Sequence, residues 1–111
     1  MTLFDCLLVG HLIGDFLLQN RWMAENKSTH FLPLLVHTAV YTAAVSLMAL
    51  IAGGLSWQGI TLIFLTHFLL DRRGIVAFWT RYITVSNSSP WLVTMIDQTW
   101  HVVVLVIAVF L

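Results

Sequence analysis

Apolar residues fall in four long runs separated by polar breaks. Residues 2–20 form the first run. Wound as a helix it is about 28 Å long, close to the thickness of a bilayer's hydrocarbon core. NRWMAENKSTH, 20–30, interrupts it, and residues 31–54 form the longest run. Pro33 lies near the start of that run, where a missing N–H is harmless. Gly53 and Gly54 mark its end. The link to the next run is so short that the third helix must return antiparallel beside the second. WQGITLIFLTHFLLD, 57–71, is that third run. RRG then breaks the pattern, and IVAFWTRYI resumes it weakly, either extending the helix or lying in the membrane interface. VSNSSP, 85–90, is a loop, and 91–111 is the fourth run. The Val- and Ile-rich end, 102–111, is not read as a strand, because open sheet edges are excluded from lipid.

The pattern predicts an all-α fold, a four-helix transmembrane bundle in a single domain, 1–111. The spans are placed at about 2–20, 32–53, 56–72 and 91–111, with polar loops at 21–31 and 80–90. Arg21, Lys27, Arg72, Arg73 and Arg81 all fall on the side where the first span ends. The positive-inside rule makes that side cytoplasmic and puts both termini on the non-cytoplasmic side. Asp5 and the lack of an N-terminal Lys or Arg argue against a cleaved signal peptide, so the first run is expected to be retained.

Composition sharpens this. Charged residues are 9% of 111, and 59% are apolar. A soluble domain of this size has too few polar residues here to cover its surface. Five basic residues and zero net charge leave no basic face for a nucleic acid. Cys6 is the only cysteine, which excludes an intrachain disulfide or a Cys-based metal site and suits a small buried hydrophobe.

Within the apolar runs, His and Asp recur four apart: HLIGD at 11–15, HFLLD at 67–71 and DQTWH at 97–101. Residues four apart share one helix face. The order of the spans puts His11, Asp15, His37, His67, Asp71, Asp97 and His101 in the same half of the bundle. Ionisable groups in a membrane face inward and need partners. Seven nitrogen and oxygen donors exceed the need of one tetrahedral zinc and suit one or two divalent ions. The donors admit zinc, iron or manganese, and the lack of thiolate argues against Cu(I). The plainer alternative is a hydrogen-bonded polar core that holds the helices together.

Around these ligands, Gln19, one turn beyond Asp15, and Gln98, beside Asp97, are candidates to steady them from behind. Arg72 and Arg73 are candidates for an anion or a lipid headgroup. His30 lies outside the runs and reads as a loop residue. Thr66 and Thr94 read as intramembrane hydrogen-bonders. Most of the five tryptophans mark interfaces, with Trp100 deeper.

The motifs HLIGDFLLQNRWMAENK, LLVH, FLTHFLLD and DQTWH resemble an uncharacterised family of small bacterial integral-membrane proteins, with H-L-x-x-D-F-x-x-Q, a lone His, H-x-x-x-D and D-Q-x-x-H. The resemblance covers almost the whole chain. It falls on His11, Asp15, Gln19, Lys27, His37, His67, Asp71, Asp97, Gln98 and His101. Where the family pattern has a lysine after the third-helix aspartate, this chain has Arg72 and Arg73. It implies a multi-pass protein of the bacterial inner membrane. A looser resemblance is to bacterial membrane-bound metal-dependent hydrolases, which also carry His and Asp within helices.

These readings lead to three expectations. The first is a membrane-embedded metal-binding protein that hydrolyses a lipid-linked or anionic substrate at the cytoplasmic leaflet, with Asp15 or Asp97 as catalytic base. The second is a non-enzymatic, metal-stabilised subunit of a larger membrane complex or homo-oligomer. The third is a proton or divalent-metal transporter, although little polar lines the half away from the ligands. Membrane lipids are the expected partners throughout.

Overall fold

The computed structural model describes residues 1–111 and is all-helical, without strands. It has six α-helices: α1 (Leu3–Leu12), α2 (Arg21–Asn26), α3 (Phe31–Ala49), α4 (Trp57–Asp71), α5 (Gly74–Phe78) and α6 (Pro90–Val109). A π-helical turn, Ile13–Leu17, continues α1, and another, Trp79–Ile83, continues α5. The four longer helices close a ring in which α1 packs on α3, α3 on α4, α4 on α6 and α6 on α1.

Local sequence explains the helix ends. The Thr2 side chain accepts from Asp5 N–H, and the Asp5 carboxylate accepts from Thr2 N–H. Asp5 is therefore half of a reciprocal N-terminal cap. Asn20 caps α2 by accepting from Met23 N–H, and Ser56 caps α4 by accepting from Gly59 N–H. Gly53 and Gly54 adopt φ of 97° and 91° and end the winding that follows α3.

The structure adds a helix to one expected loop and decides one open alternative after α4. The polar break 21–31 contains α2 rather than loop alone. Residues 74–83 do not extend α4. Arg73 sits at φ 65° in the left-handed region, and the chain turns there into a separate short helix. Phe31–Ala52 and Pro90–Val109 are long and apolar enough to cross a membrane, at mean hydropathy 1.9 and 1.8. α1 with its π turn, and α4, are shorter.

The distribution of polarity is inverted relative to a soluble domain. Leu47, Leu50, Ile51, Leu65, Leu69, Val103, Val106 and Ile107 are exposed, while His11, Asp15, His37, His67, Asp71, Asp97 and His101 are buried. One half of the interior is apolar, with Leu7, Val45, Ala49, Ile63, Leu105 and Ala108 in one cluster. The ionisable groups fill the other half.

One contact fixes how closely α1 approaches α3. A Cβ built on Gly10 would lie 2.7 Å from Val45 Cα, and one on Gly14 would lie 2.9 Å from Tyr41 Cδ2. GHLIG is thus a small-x-x-x-small stripe that lets the two backbones meet. It contains His11 and is followed at once by Asp15, so the same stripe brings His11 to Tyr41 and Asp15 to His37 on α3.

Candidate metal centre

Six of the seven expected ligands come together in two groups that share Asp71. The first is Asp15, His37, His67 and Asp71, and the second is Asp71, Asp97 and His101. Within each group, one donor atom per residue lies within 4.8 Å of all the others, and every member is buried.

In the first group, His37 Nε2 is 3.0 Å from Asp15 Oδ1 and 3.1 Å from Asp71 Oδ2. His67 Nε2 is 2.9 Å from Asp71 Oδ2 and 3.6 Å from Asp15 Oδ1. The second group uses the other oxygen of the shared carboxylate, with His101 Nε2 3.2 Å from Asp71 Oδ1. Four ligands placed tetrahedrally about 2.0–2.2 Å from a zinc ion stand roughly 3.3–3.6 Å apart, and octahedral packing brings neighbours to about 3 Å. The observed separations fall in the range such ligands occupy.

With neutral rings, hydrogen bonding alone does not account for all of these approaches. His67 Nε2, Asp71 Oδ2 and His101 Nε2 are buried without a well-aligned hydrogen-bond partner despite their short separations. His101 makes the point clearest. Its Nδ1–H donates to the backbone carbonyl of Asp97 at 2.7 Å, so a neutral ring turns a bare lone pair at Nε2 toward Asp71. Two facing lone pairs repel unless a proton or a metal ion lies between them. Each buried polar atom left unsatisfied costs about 1–3 kcal/mol. These buried groups have the chemistry to hold a metal ion, and the orphaned atoms are those it would engage.

His11 does not join either group. Its Nε2 lies 2.8 Å from Gln98 Oε1, which can only accept, so Nε2–H donates there. Its Nδ1 then accepts from the Tyr41 hydroxyl at 2.8 Å. Both ring nitrogens are thereby taken. Nδ1 lies 3.6 Å from Asp15 Oδ2, so the ring stands beside the ligands as a buttress.

Asp15 sits in the π-helical turn that follows α1. Such turns insert one residue into the winding and recur at functional sites. Gln19 Nε2 donates to the Asp15 backbone carbonyl at 3.1 Å, steadying the turn rather than the carboxylate. Gln98 holds His11, with its Nε2 3.5 Å from Asp97 Oδ2. Arg72 and Arg73 are exposed, as is His30, whose Nδ1 pairs with the Thr29 hydroxyl at 2.9 Å.

Two participants escaped the sequence reading as members of the site. Lys27 Nζ reaches to 3.1 Å from Asp71 Oδ2, with its side chain only 14% exposed. Its signal was its place in the family pattern, although the apolar pattern put it in a loop. Tyr41 stacks on His67, with ring centroids 3.7 Å apart and planes 18° apart. It is one turn beyond His37, so the spacing that singled out the His–Asp pairs would have found it too.

Residues 3–111 match a family described as "Protein of unknown function (DUF3307)", and the chain belongs to that family. No curated protein and no solved structure matches it.

Proposed function

We propose that the chain is a four-helix transmembrane bundle of the bacterial inner membrane that binds divalent metal and hydrolyses a lipid-linked anionic substrate at the cytoplasmic leaflet. The observation that carries this is Asp71, whose two oxygens face two separate groups of His and Asp. A shared carboxylate between two ligand sets is an arrangement suited to a pair of ions. Bound there, zinc, iron or manganese would polarise a substrate oxygen and favour hydroxide near neutral pH.

The protein's own groups divide the remaining work. Asp97 is the better placed base, because its Oδ1 has no hydrogen-bond partner while Asp15 Oδ1 is engaged by His37. Asp15, His37, His67, Asp71 and His101 hold the ions. Tyr41 and Gln98 fix His11, which limits the movement of Asp15. Lys27 stands at the edge of the site, where it can meet an anionic group.

A second reading has its own support. The space beside His67 and His101, lined also by Tyr41, Ile63, Thr66, Leu70 and Val104, has no room for a water molecule. That suits a non-enzymatic subunit whose metal staples its helices. Transport of protons or metal through a single copy is the weaker proposal, because the apolar half supplies no wet path.

Elemental analysis of protein purified without chelator tests the shared premise. Close to two divalent ions per chain are expected at saturation, or one firmly held ion if only one group fills. Protein that takes up no stoichiometric metal on reconstitution would leave the polar-core alternative standing. Orientation has a separate test. A reporter fused after Leu111 should be active outside the cytoplasm, and Lys27 should be protected from a label added outside. A cytoplasmic Leu111 fusion would reverse the orientation and move the site to the other leaflet.

A further inference from the structure

The metal groups are not the only place where charge and apolar surface meet. A groove of about 330 Å³ is lined by Arg73, Val76, Ala77, Thr80, Arg81, Asn87 and Val93. Neither arginine has a carboxylate partner, since the Arg and Lys ion pairs of the chain are Arg21–Glu25 and Lys27–Asp71. The groove therefore presents two guanidinium groups outside any direct ion pair, whose planar donors match phosphate oxygens. Arg72 does not line it. Two non-glycine residues with positive φ, Arg73 at 65° and Val85 at 50°, bracket the segment that forms its wall. A β-branched residue is strained in that region, and strain of this kind persists where the surrounding structure holds it.

Farther along the same helices the lining turns apolar. Trp79 and Trp100 meet edge to face at 5.0 Å. A hollow of about 210 Å³ is lined by Trp79, Ile96, Thr99, Trp100 and Val103. Trp100 also borders a second hollow of about 290 Å³ with Thr66, Leu69, Leu70, Ile75 and Val104. Thr66, Leu70 and Val104 line the space beside His67 and His101 as well. The apolar hollow thus abuts the metal groups between α4 and α6.

We propose that this seam binds a phosphate-bearing lipid, with the phosphate between Arg73 and Arg81 and an acyl chain along Trp100 toward the gap between α4 and α6. Charge complementarity selects the headgroup, and the apolar hollows select a hydrocarbon chain over a soluble anion. The inference deepens the hydrolase reading by naming its substrate class, and it rests on that reading for any chemistry.

The test uses the full chain in neutral detergent, with dibrominated acyl chains as contact quenchers of tryptophan. Brominated phosphatidic acid at low mole fraction should quench saturably, and brominated phosphatidylcholine should need at least about tenfold more. Arg73→Gln with Arg81→Gln should abolish that preference, while Arg72→Gln keeps it. Val104→Phe, which narrows the hollow without touching the arginines, should weaken the saturable quenching. Equal quenching by the two lipids, or no effect of the double variant, would show boundary lipid only and overturn the proposal. So would displacement of phosphatidic acid by equimolar inorganic phosphate, which would make this a soluble-anion site. Metal content measured on the same samples separates the two readings. Metal-free protein that still selects phosphatidic acid loses the hydrolase and keeps the lipid seam, and metal-loaded protein without selection does the reverse.

Discussion

Asp71→Asn is expected to empty both metal positions at once. Asp71 is the one residue common to the two groups, and it is 2% exposed. Asparagine keeps the shape but loses the charge, and it turns one NH₂ toward nitrogens that need an acceptor or a cation. It also strands Lys27, whose ammonium lies 3.1 Å from the shared carboxylate. A ligand at 100 to 1,000 times its Kd stabilises the folded state by about 2.7–4.1 kcal/mol, and that contribution should disappear with the metal. His101→Gln should weaken the second group first and leave the first partly filled, since His101 belongs to only one of them. His30→Gln should change neither metal content nor melting, because His30 is exposed and bonds only its neighbour. Metal analysis and melting temperature against added zinc or manganese give the answer. A D71N protein with full metal content would remove Asp71 from the ligand set and with it the two-ion arrangement.

The second large effect is expected far from any ligand atom. Gly10→Ala would put a methyl group 2.7 Å from Val45 Cα and 3.2 Å from the Ala44 carbonyl oxygen. Backbone atoms cannot swing away as a side-chain tip can, so α1 must back off from α3. Overpacking of this kind costs about 1–3 kcal/mol. Metal affinity should drop with it, because the displaced helix leads into Asp15. Gly14→Ala should act similarly, through Tyr41 Cδ2 at 2.9 Å and Tyr41 Cα at 3.0 Å. Gly74→Ala is the control, with nothing within 4 Å of its added carbon. If melting and metal titration show Gly10→Ala matching Gly74→Ala, the close approach of α1 and α3 does not hold the site together.

Helical spacing tells which side chains share a face, and span order tells which faces share a depth. Those two facts were enough to gather Asp15, His37, His67, Asp71, Asp97 and His101. They could not tell that His11 spends both nitrogens on Tyr41 and Gln98, because that depends on distances between helices. Gln98 lies about 100° around α6 from Asp97. Its long side chain nonetheless reaches His11 across the bundle. The π turn at Ile13–Leu17 was hidden as well, since no apolar period marks one inserted residue. Lys27 was hidden because the apolar pattern puts it in a loop, whereas it follows α2, which packs on α3, and its side chain reaches Asp71 at the end of α4. The break at Arg73 has no glycine at the left-handed position itself; Gly74 follows it, and RRG showed only that the apolar run stopped.

Lys27 has a further consequence, for charge. With neutral histidines, Asp15, Asp71 and Asp97 supply three negative charges and Lys27 one positive, leaving a net of minus two in a low-dielectric interior. A single divalent ion cancels that net charge. A second ion takes the sum to plus two, or to plus one if Lys27 withdraws, so in either case it needs an anion to arrive with it. If two ions bind, the lysine on Asp71 would raise the negative charge that a guest must bring from one to two.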